Sequence, residues 1–144
     1  MPERATLKRA KEDAREGKAP STQAGEFVKE EMDHIREGKH GARSTKQAIA
    51  IGLSKARRAG VKLAAGGSAA TRKKAEQDTK AAKHPHKVSA KRSRATESAL
   101  NREGHSAASH ASLSRQAKKS AAARGKTARS QAAKKAAATR RRAA

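Results

Sequence analysis

Apolar side chains recur with a helical period over one stretch of this chain and almost nowhere else. Ala24, Phe27, Val28, Met32 and Ile35 fall on one arc of a 3.6-residue helix, with Lys29, Asp33, Arg36 and Glu37 opposite. The pattern predicts a first helix over about residues 22–37. "GKHGAR", at 38–43, places two glycines among cationic and titratable side chains and reads as a turn. A second helix is predicted over 44–60. It opens with a capping signature: the Ser44 hydroxyl can accept from the Gln47 amide while the Gln47 side chain returns to the Ser44 N–H. Ala48, Ile49, Gly52, Leu53, Ala56 and Ala59 share its apolar face, and Ile51 sits on the shoulder. Gly60 followed by Val61 suits a left-handed C′ glycine with a hydrophobic residue after it. Gly52 costs about 1 kcal/mol relative to alanine inside a helix. Its place in the apolar stripe points to close approach by a neighbouring helix, with a tolerated weak spot as the alternative.

The flanks lack this pattern. Residues 1–20 mix charges of both signs around Leu7 and end in Gly17 and Pro20, which reads as a frayed helix or a disordered lead-in. "AAGGS", at 64–68, opens a linker over 64–70. Beyond it runs a low-complexity sequence of alanine, serine, lysine and arginine. Alanine, lysine and arginine are good helix formers, yet isolated helices are marginal in water and like charges oppose them. The expected fold is therefore mostly α. A helical hairpin at 21–63, with Phe27, Val28, Met32, Ile35, Ile49, Gly52, Leu53 and Ala56 as its core, precedes a largely disordered basic tail over 71–144. Parts of that tail, 107–123 and 128–138, are expected to become helical when phosphate neutralises them.

Composition and charge sharpen this picture. The 144 residues carry a formal net charge of +23, one phenylalanine and no tyrosine or tryptophan. Few apolar side chains together with high net charge mark a chain whose apolar burial cannot offset the entropy of ordering it. The two halves differ: residues 1–63 hold 15 Lys/Arg against 9 Asp/Glu, and residues 64–144 hold 21 against 4. A unit of about 40 residues without disulfide or metal usually needs oligomerisation. The hairpin is therefore expected to form a homodimer or to fold on binding. The chain has no cysteine, which excludes disulfides and thiolate metal sites. The first twenty residues lack the apolar run of a signal peptide, and Glu3, Glu12, Asp13 and Glu16 argue against a mitochondrial presequence. No segment is apolar enough to span a membrane, and a cytoplasmic, nucleoid-associated location is expected.

The "EF…EGKHG…RSTKQAIAIGLSKARRAG" pattern, over roughly 21–63, resembles a family of short basic bacterial proteins of uncharacterised function. The resemblance implies a bacterial source and a small helical unit; it brings no catalytic residues and no established ligand. The lysine- and alanine-rich second half resembles the tails of linker histones and bacterial histone-like proteins.

The tail carries the strongest chemical signal. DNA bears one charge per about 1.7 Å, and a polycation that binds it releases condensed counterions. Non-sequence-specific DNA binding and compaction follow as the expected function. Phosphate contacts are expected from Lys39, Arg43, Lys46, Arg57, Arg58, Arg72, Lys73, Lys74, Lys91, Arg92, Arg94, Lys118, Lys119, Arg124, Lys126, Arg129, Lys134, Lys135, Arg140, Arg141 and Arg142. A solvated tail that only maintains solubility is the plainer reading. Residues 24–37 hold five acids and two bases, whereas 44–60 hold Lys46, Lys55, Arg57 and Arg58 and no acid. The first helix is thus expected to cover the apolar face of the second. Lys46, Arg57 and Arg58 would face outward, and Lys39, His40 and Arg43 would cluster at a helix N-terminus that favours anions.

Other classes fare worse. The six-residue "GKHGAR" connection exceeds the turn of a helix-turn-helix motif. Single-strand and sequence-specific RNA recognition need aromatic platforms, and Phe27 is assigned to the core. Structured RNA or the ribosome remains an alternative partner, and a partner-binding adaptor or stress-related protein using the apolar hairpin is a second. His84, His86, His105 and His110 lack companions suited to a closed zinc site, so no metal and no cofactor are expected. There is no nucleophile with an ordered base, no carboxylate pair in a cleft and no phosphate loop, which argues against an enzyme.

Overall fold

The computed structural model describes residues 1–84 and 88–143. They form α1 (Arg4–Arg15), α2 (Pro20–Arg36), α3 (Thr45–Arg58), α4 (Ala69–Lys83), α5 (Ala90–Asn101), a 3-10 turn (Ser106–Ala108), α6 (His110–Ala123) and α7 (Gly125–Ala143). No strand occurs among the described residues. The chain divides into two compact units, Met1–Ser109 and His110–Ala144.

Local sequence explains where the first helices begin and end. The Gln47 amide donates to Ser44 Oγ (3.2 Å) at the start of α3. The Gln47 side chain returns one residue earlier than the capping signature implies, accepting from the Arg43 N–H at 2.8 Å. At the end of α3, Gly60 takes φ of +95°, its N–H donates to the Arg57 carbonyl and the Val61 N–H donates to the Ala56 carbonyl. These are the two hydrogen bonds of a Schellman motif, and Val61 is buried as its apolar partner. Gly17 and Gly38 close α1 and α2 in the same way.

In the first unit α2 packs on α3, α1 on α2, and α4 on α3. Ala10, Ala24, Phe27, Ala56 and Val61 form one apolar cluster, edged by Leu7, Leu53 and Leu63. Met32, Ile35, Ala42, Ala48, Ala107 and Ala108 are also buried, and the 3-10 turn rests on both α2 and α3. Gly52 lies directly under Val28: a Cβ placed on it would come within 2.7 Å of the Val28 Cα. The two helices meet there backbone to backbone. Of the residues assigned to the core by pattern, Phe27, Met32, Ile35, Gly52 and Ala56 are buried, whereas Val28, Ile49 and Leu53 are half-buried.

The structure overturns the expected hairpin followed by a disordered tail. Residues 4–15 are a helix that seals Phe27 and Ala24 from one side, and α4 to α7 make most of the second half helical. The disorder expectation rested on the absence of a core, but a helix needs no core to satisfy its own backbone. Alanine, lysine and arginine, the dominant residues there, rank at the top of helix propensity. Where packing is available it is used: α4 starts at the Ser68 cap, whose hydroxyl accepts from the Thr71 amide, and buries Ala75 and Asp78. The hairpin is thus covered within its own chain by α1, α4 and the 3-10 turn.

The loop at 38–43 is held by the segment after α5. Gly41 N–H donates to the Leu100 carbonyl and Ala42 N–H to the Gly104 carbonyl, both at 3.0 Å. A Cβ on Gly41 would lie 1.9 Å from the Glu103 carbonyl oxygen, so only glycine admits this contact. Thr45 Oγ1 donates to the Ala107 carbonyl (2.6 Å) and Arg36 Nε to the Ala108 carbonyl (3.0 Å).

Candidate nucleic-acid interface

The twenty-one bases assigned to phosphate fall into two groups. The first is engaged by other groups of the protein, although Lys39, Arg58 and Lys74 stay about half exposed. Lys39 Nζ pairs with Glu37 (2.9 Å) and Glu3 (3.4 Å), and the Glu37 hydrogen bond raises its pKa. Arg58 Nε donates to Asp78 Oδ1 (3.0 Å), and Lys74 Nζ reaches the same oxygen at 2.6 Å. Arg57 is half-buried, with its Nε enclosed and without a hydrogen-bond partner among the described residues. His40, expected beside Arg43 at the start of α3, turns inward instead and places Nε2 3.2 Å from Glu31. Arg43 and Lys46 stay exposed at that end of the helix.

Asp78 is the acid that engages the C-terminal end of α3. It is 3% exposed and gathers Ser54, Arg58 and Lys74. Burial pushes its carboxyl up, but the hydrogen bonds from Lys74, Ser54 and Arg58 outweigh this and hold it below the usual aspartate value. A second inward group uses the remaining α3 cation: Lys55 Nζ lies 3.3 Å from Glu30 and 2.7 Å from Glu31. Burial opposes ionisation of Glu30 too, and the Thr6 hydroxyl, the Glu3 amide and Lys55 overcome it, leaving the carboxyl lowered.

The second group is on the surface. Arg72, Lys73, Lys91, Arg92, Arg94, Lys118, Lys119, Arg124, Lys126, Arg129, Lys134, Lys135, Arg140, Arg141 and Arg142 are all exposed. None of them has an acidic partner within ion-pair distance among the described residues. In the second unit the imbalance is complete: residues 110–144 carry eleven Lys/Arg and no Asp/Glu. On α6, Arg115, Lys118 and Lys119 share one face at i, i+3 and i+4. On α7, Lys126, Arg129, Lys134, Arg140 and Arg141 fall within an arc of about 140°, and Lys135 and Arg142 point the other way. Small alanines fill much of the rest of α7, which keeps the helix slim.

His84, His105 and His110 are exposed, and His86 lies outside the described residues. The sequence pattern does not reveal most of the polar interior: tertiary packing brings Lys55 to Glu30 and Glu31, Glu3 to His34, Glu31 to His40, and Ser54 and Arg58 to Asp78, whose Lys74 partner alone is a local one. A carboxylate inside an otherwise apolar arc, as at Glu31 next to Met32, is the one signal available.

The molecule is thus an all-helical, strongly basic protein, and among the described residues no helix is long and apolar enough to cross a membrane. Residues 19–67 match the model of a family of unknown function (DUF6496). That span contains α2, the His40 loop and α3, and stops before α4. No curated protein and no solved structure matches the chain.

Proposed function

We propose that the protein binds duplex DNA without reading its sequence, using its surface basic helices to neutralise phosphates. The observation that carries this reading is the second unit: two helices and the turn between them with eleven bases, no acid and, among the described residues, no buried side chain. A protein surface of one sign on this scale raises the local concentration of polyanions and accelerates their capture. Exposed lysine and arginine without acidic partners retain their full attraction for phosphate, whereas Arg58, Lys74 and Lys39 already direct theirs at carboxylates. The slim α7 also suits a groove. An α-helix with its side chains is about 10–12 Å across and the major groove of B-DNA is about 12 Å wide. Bases around most of the helix would meet phosphates on both groove walls. The α3 surface contributes Arg43 and Lys46, and no residue is offered for base-edge readout.

The test is a salt series on full-length protein and duplex DNA, followed by fluorescence anisotropy. If about 8 bases meet phosphates, log K falls against log salt with a slope near −7, from roughly −0.9 per phosphate. Affinity should be similar on unrelated duplexes. Tight, salt-insensitive binding to one duplex, or a strong preference for structured RNA over every duplex, would overturn the reading.

A further inference from the structure

Glu31, His34 and His40 stand apart from the basic surface, and their arrangement has no role in phosphate binding. Glu31 and His34 are three residues apart on α2, and His40 comes from the loop that follows. One donor atom from each lies within 4.8 Å of the other two. Glu31 is 1% exposed.

The hydrogen bonds fix what each ring nitrogen can do. His40 Nδ1 is 3.1 Å from the Gly41 carbonyl oxygen. A carbonyl only accepts, so Nδ1 carries a hydrogen and Nε2 is the nitrogen left to face Glu31. It stands 3.2 Å from Glu31 Oε1. A carboxylate oxygen and an imidazole nitrogen this close share a positive charge between them, either a proton or a metal ion. Two ligands each about 2.0–2.1 Å from a tetrahedral zinc ion stand roughly 3.3 Å apart, close to the spacing seen. His34 is oriented in the same style, with Nε2 2.9 Å from Glu3 Oε1. Metal-ligating histidines typically direct their second nitrogen to a carboxylate or a backbone carbonyl, and here each of the two partners is present.

Charge and packing agree with this. Glu30 and Glu31 are buried against a single ammonium group, that of Lys55. One negative charge is left over in an enclosed place. Glu31 Oε2 lies near Lys55 Nζ but outside hydrogen-bonding geometry, so only Oε1 is directed at the histidines. The loop bearing His40 is clamped by the Gly41–Leu100 and Ala42–Gly104 hydrogen bonds, which limits the cost of positioning the ring.

We propose that Glu31, His34 and His40 bind one divalent transition-metal ion of the zinc class, with water completing the coordination. The carboxylate binds through one oxygen because Lys55 holds the other. Bound there, the ion ties the 38–43 loop to α2 beneath the segment at 100–104.

The test uses the full-length protein with cobalt(II) as a spectroscopic probe and zinc as competitor. Intense visible bands of four-coordinate cobalt should appear, saturate at a single site and be displaced by zinc. His34→Gln and His40→Gln should each abolish them, and Glu3→Gln should weaken the site about 10–100-fold, the usual effect of losing a supporting partner. A variant with His84, His86, His105 and His110 all changed to glutamine should keep the bands. Because the ligand variants can also perturb folding, the wild-type ring resonances give a second reading: zinc should shift those of His34 and His40 and leave the other four in place. Absence of cobalt bands, their survival in both His34→Gln and His40→Gln, or their loss in the fourfold variant would overturn the proposal.

Discussion

Replacing Gly52 by alanine sets two effects of opposite sign against each other, and the structure decides which prevails. Helix propensity alone favours alanine by about 1 kcal/mol. The added methyl, however, would sit 2.7 Å from the Val28 Cα and 3.0 Å from the Val28 nitrogen and Cγ2, where carbon atoms prefer about 3.5–4.0 Å. A side chain could swing aside, but the nearest atom is backbone, so α2 and α3 must separate. Overpacking of this kind typically costs about 1–3 kcal/mol, and a rigid obstacle places it near the upper end. The net expectation is destabilisation by about 1–2 kcal/mol, equivalent to a factor of roughly 5–30 in the open fraction. Native-state hydrogen exchange of the α2 and α3 amides reads this directly, as faster exchange by that factor. Gly25→Ala is the matched control: Gly25 lies in α2 with open space around its Cβ position, so the same substitution should stabilise by about 1 kcal/mol. If Gly52→Ala slows exchange as Gly25→Ala does, the close crossing of the two helices is wrong.

Two further outcomes follow from the buried polar contacts. Asp78→Asn removes the charge that Ser54, Arg58 and Lys74 share, and should loosen α4 from α3 by about 1–2 kcal/mol, a figure reduced because the two cations are half exposed. Since the folded-state carboxyl is lowered, its contribution is present above the unfolded value of about 3.9 and is lost as pH falls below it. The urea midpoint of wild type should therefore drop on acidification below about pH 4 by more than that of Asp78→Asn, and equal drops would refute the assignment. Thr45→Val leaves the Ala107 carbonyl without its 2.6 Å donor and should cost about 1–3 kcal/mol locally. Amides over 100–109 should then exchange faster while those of α1 keep their protection; unchanged exchange there would show that Thr45 does not anchor the segment.

The α2–α3 pair is legible in the sequence because its signals are local. The Ser44 cap, the Gly60–Val61 exit and the Gly52 contact each depend on residues a turn apart or on one missing side chain. Helix α1 is harder to read: Thr6, Ala10 and Asp13 are buried, yet they form an unremarkable polar series because alanine and threonine carry little apolar signal. The helices after residue 68 escape a pattern-based reading for a related reason. Their stability comes from backbone propensity and from single contacts such as Asp78 with Arg58, neither of which shows in the spacing of large apolar residues. Of the bases assigned to phosphate, those on α6 and α7 remain on the surface, and the sequence of that unit holds no acid to pair with them. Lys39, Arg58 and Lys74 are withdrawn by Glu37, Glu3 and Asp78. Glu37 and Asp78 lie near Lys39 and Lys74 in sequence, but folding alone brings Glu3 to Lys39 and Asp78 to Arg58. Glu31 and His34 stand at i and i+3 on α2, a local spacing the sequence does show, but folding alone brings His40 to Glu31 and Glu3 to His34.

The central claim is that the acid-free basic helices do the phosphate binding, and neutralising α7 tests it most directly. In the full-length protein, Lys126, Arg129, Lys134, Lys135, Arg140, Arg141 and Arg142 are changed together to glutamine, which keeps good helix propensity. Binding to duplex DNA is then measured across a salt series beside wild type. The slope of log K against log salt should flatten by up to about 6, at roughly 0.9 per lost phosphate contact, and affinity should fall alike on every duplex. A variant that keeps the wild-type slope and affinity would contradict the account and move the binding surface elsewhere.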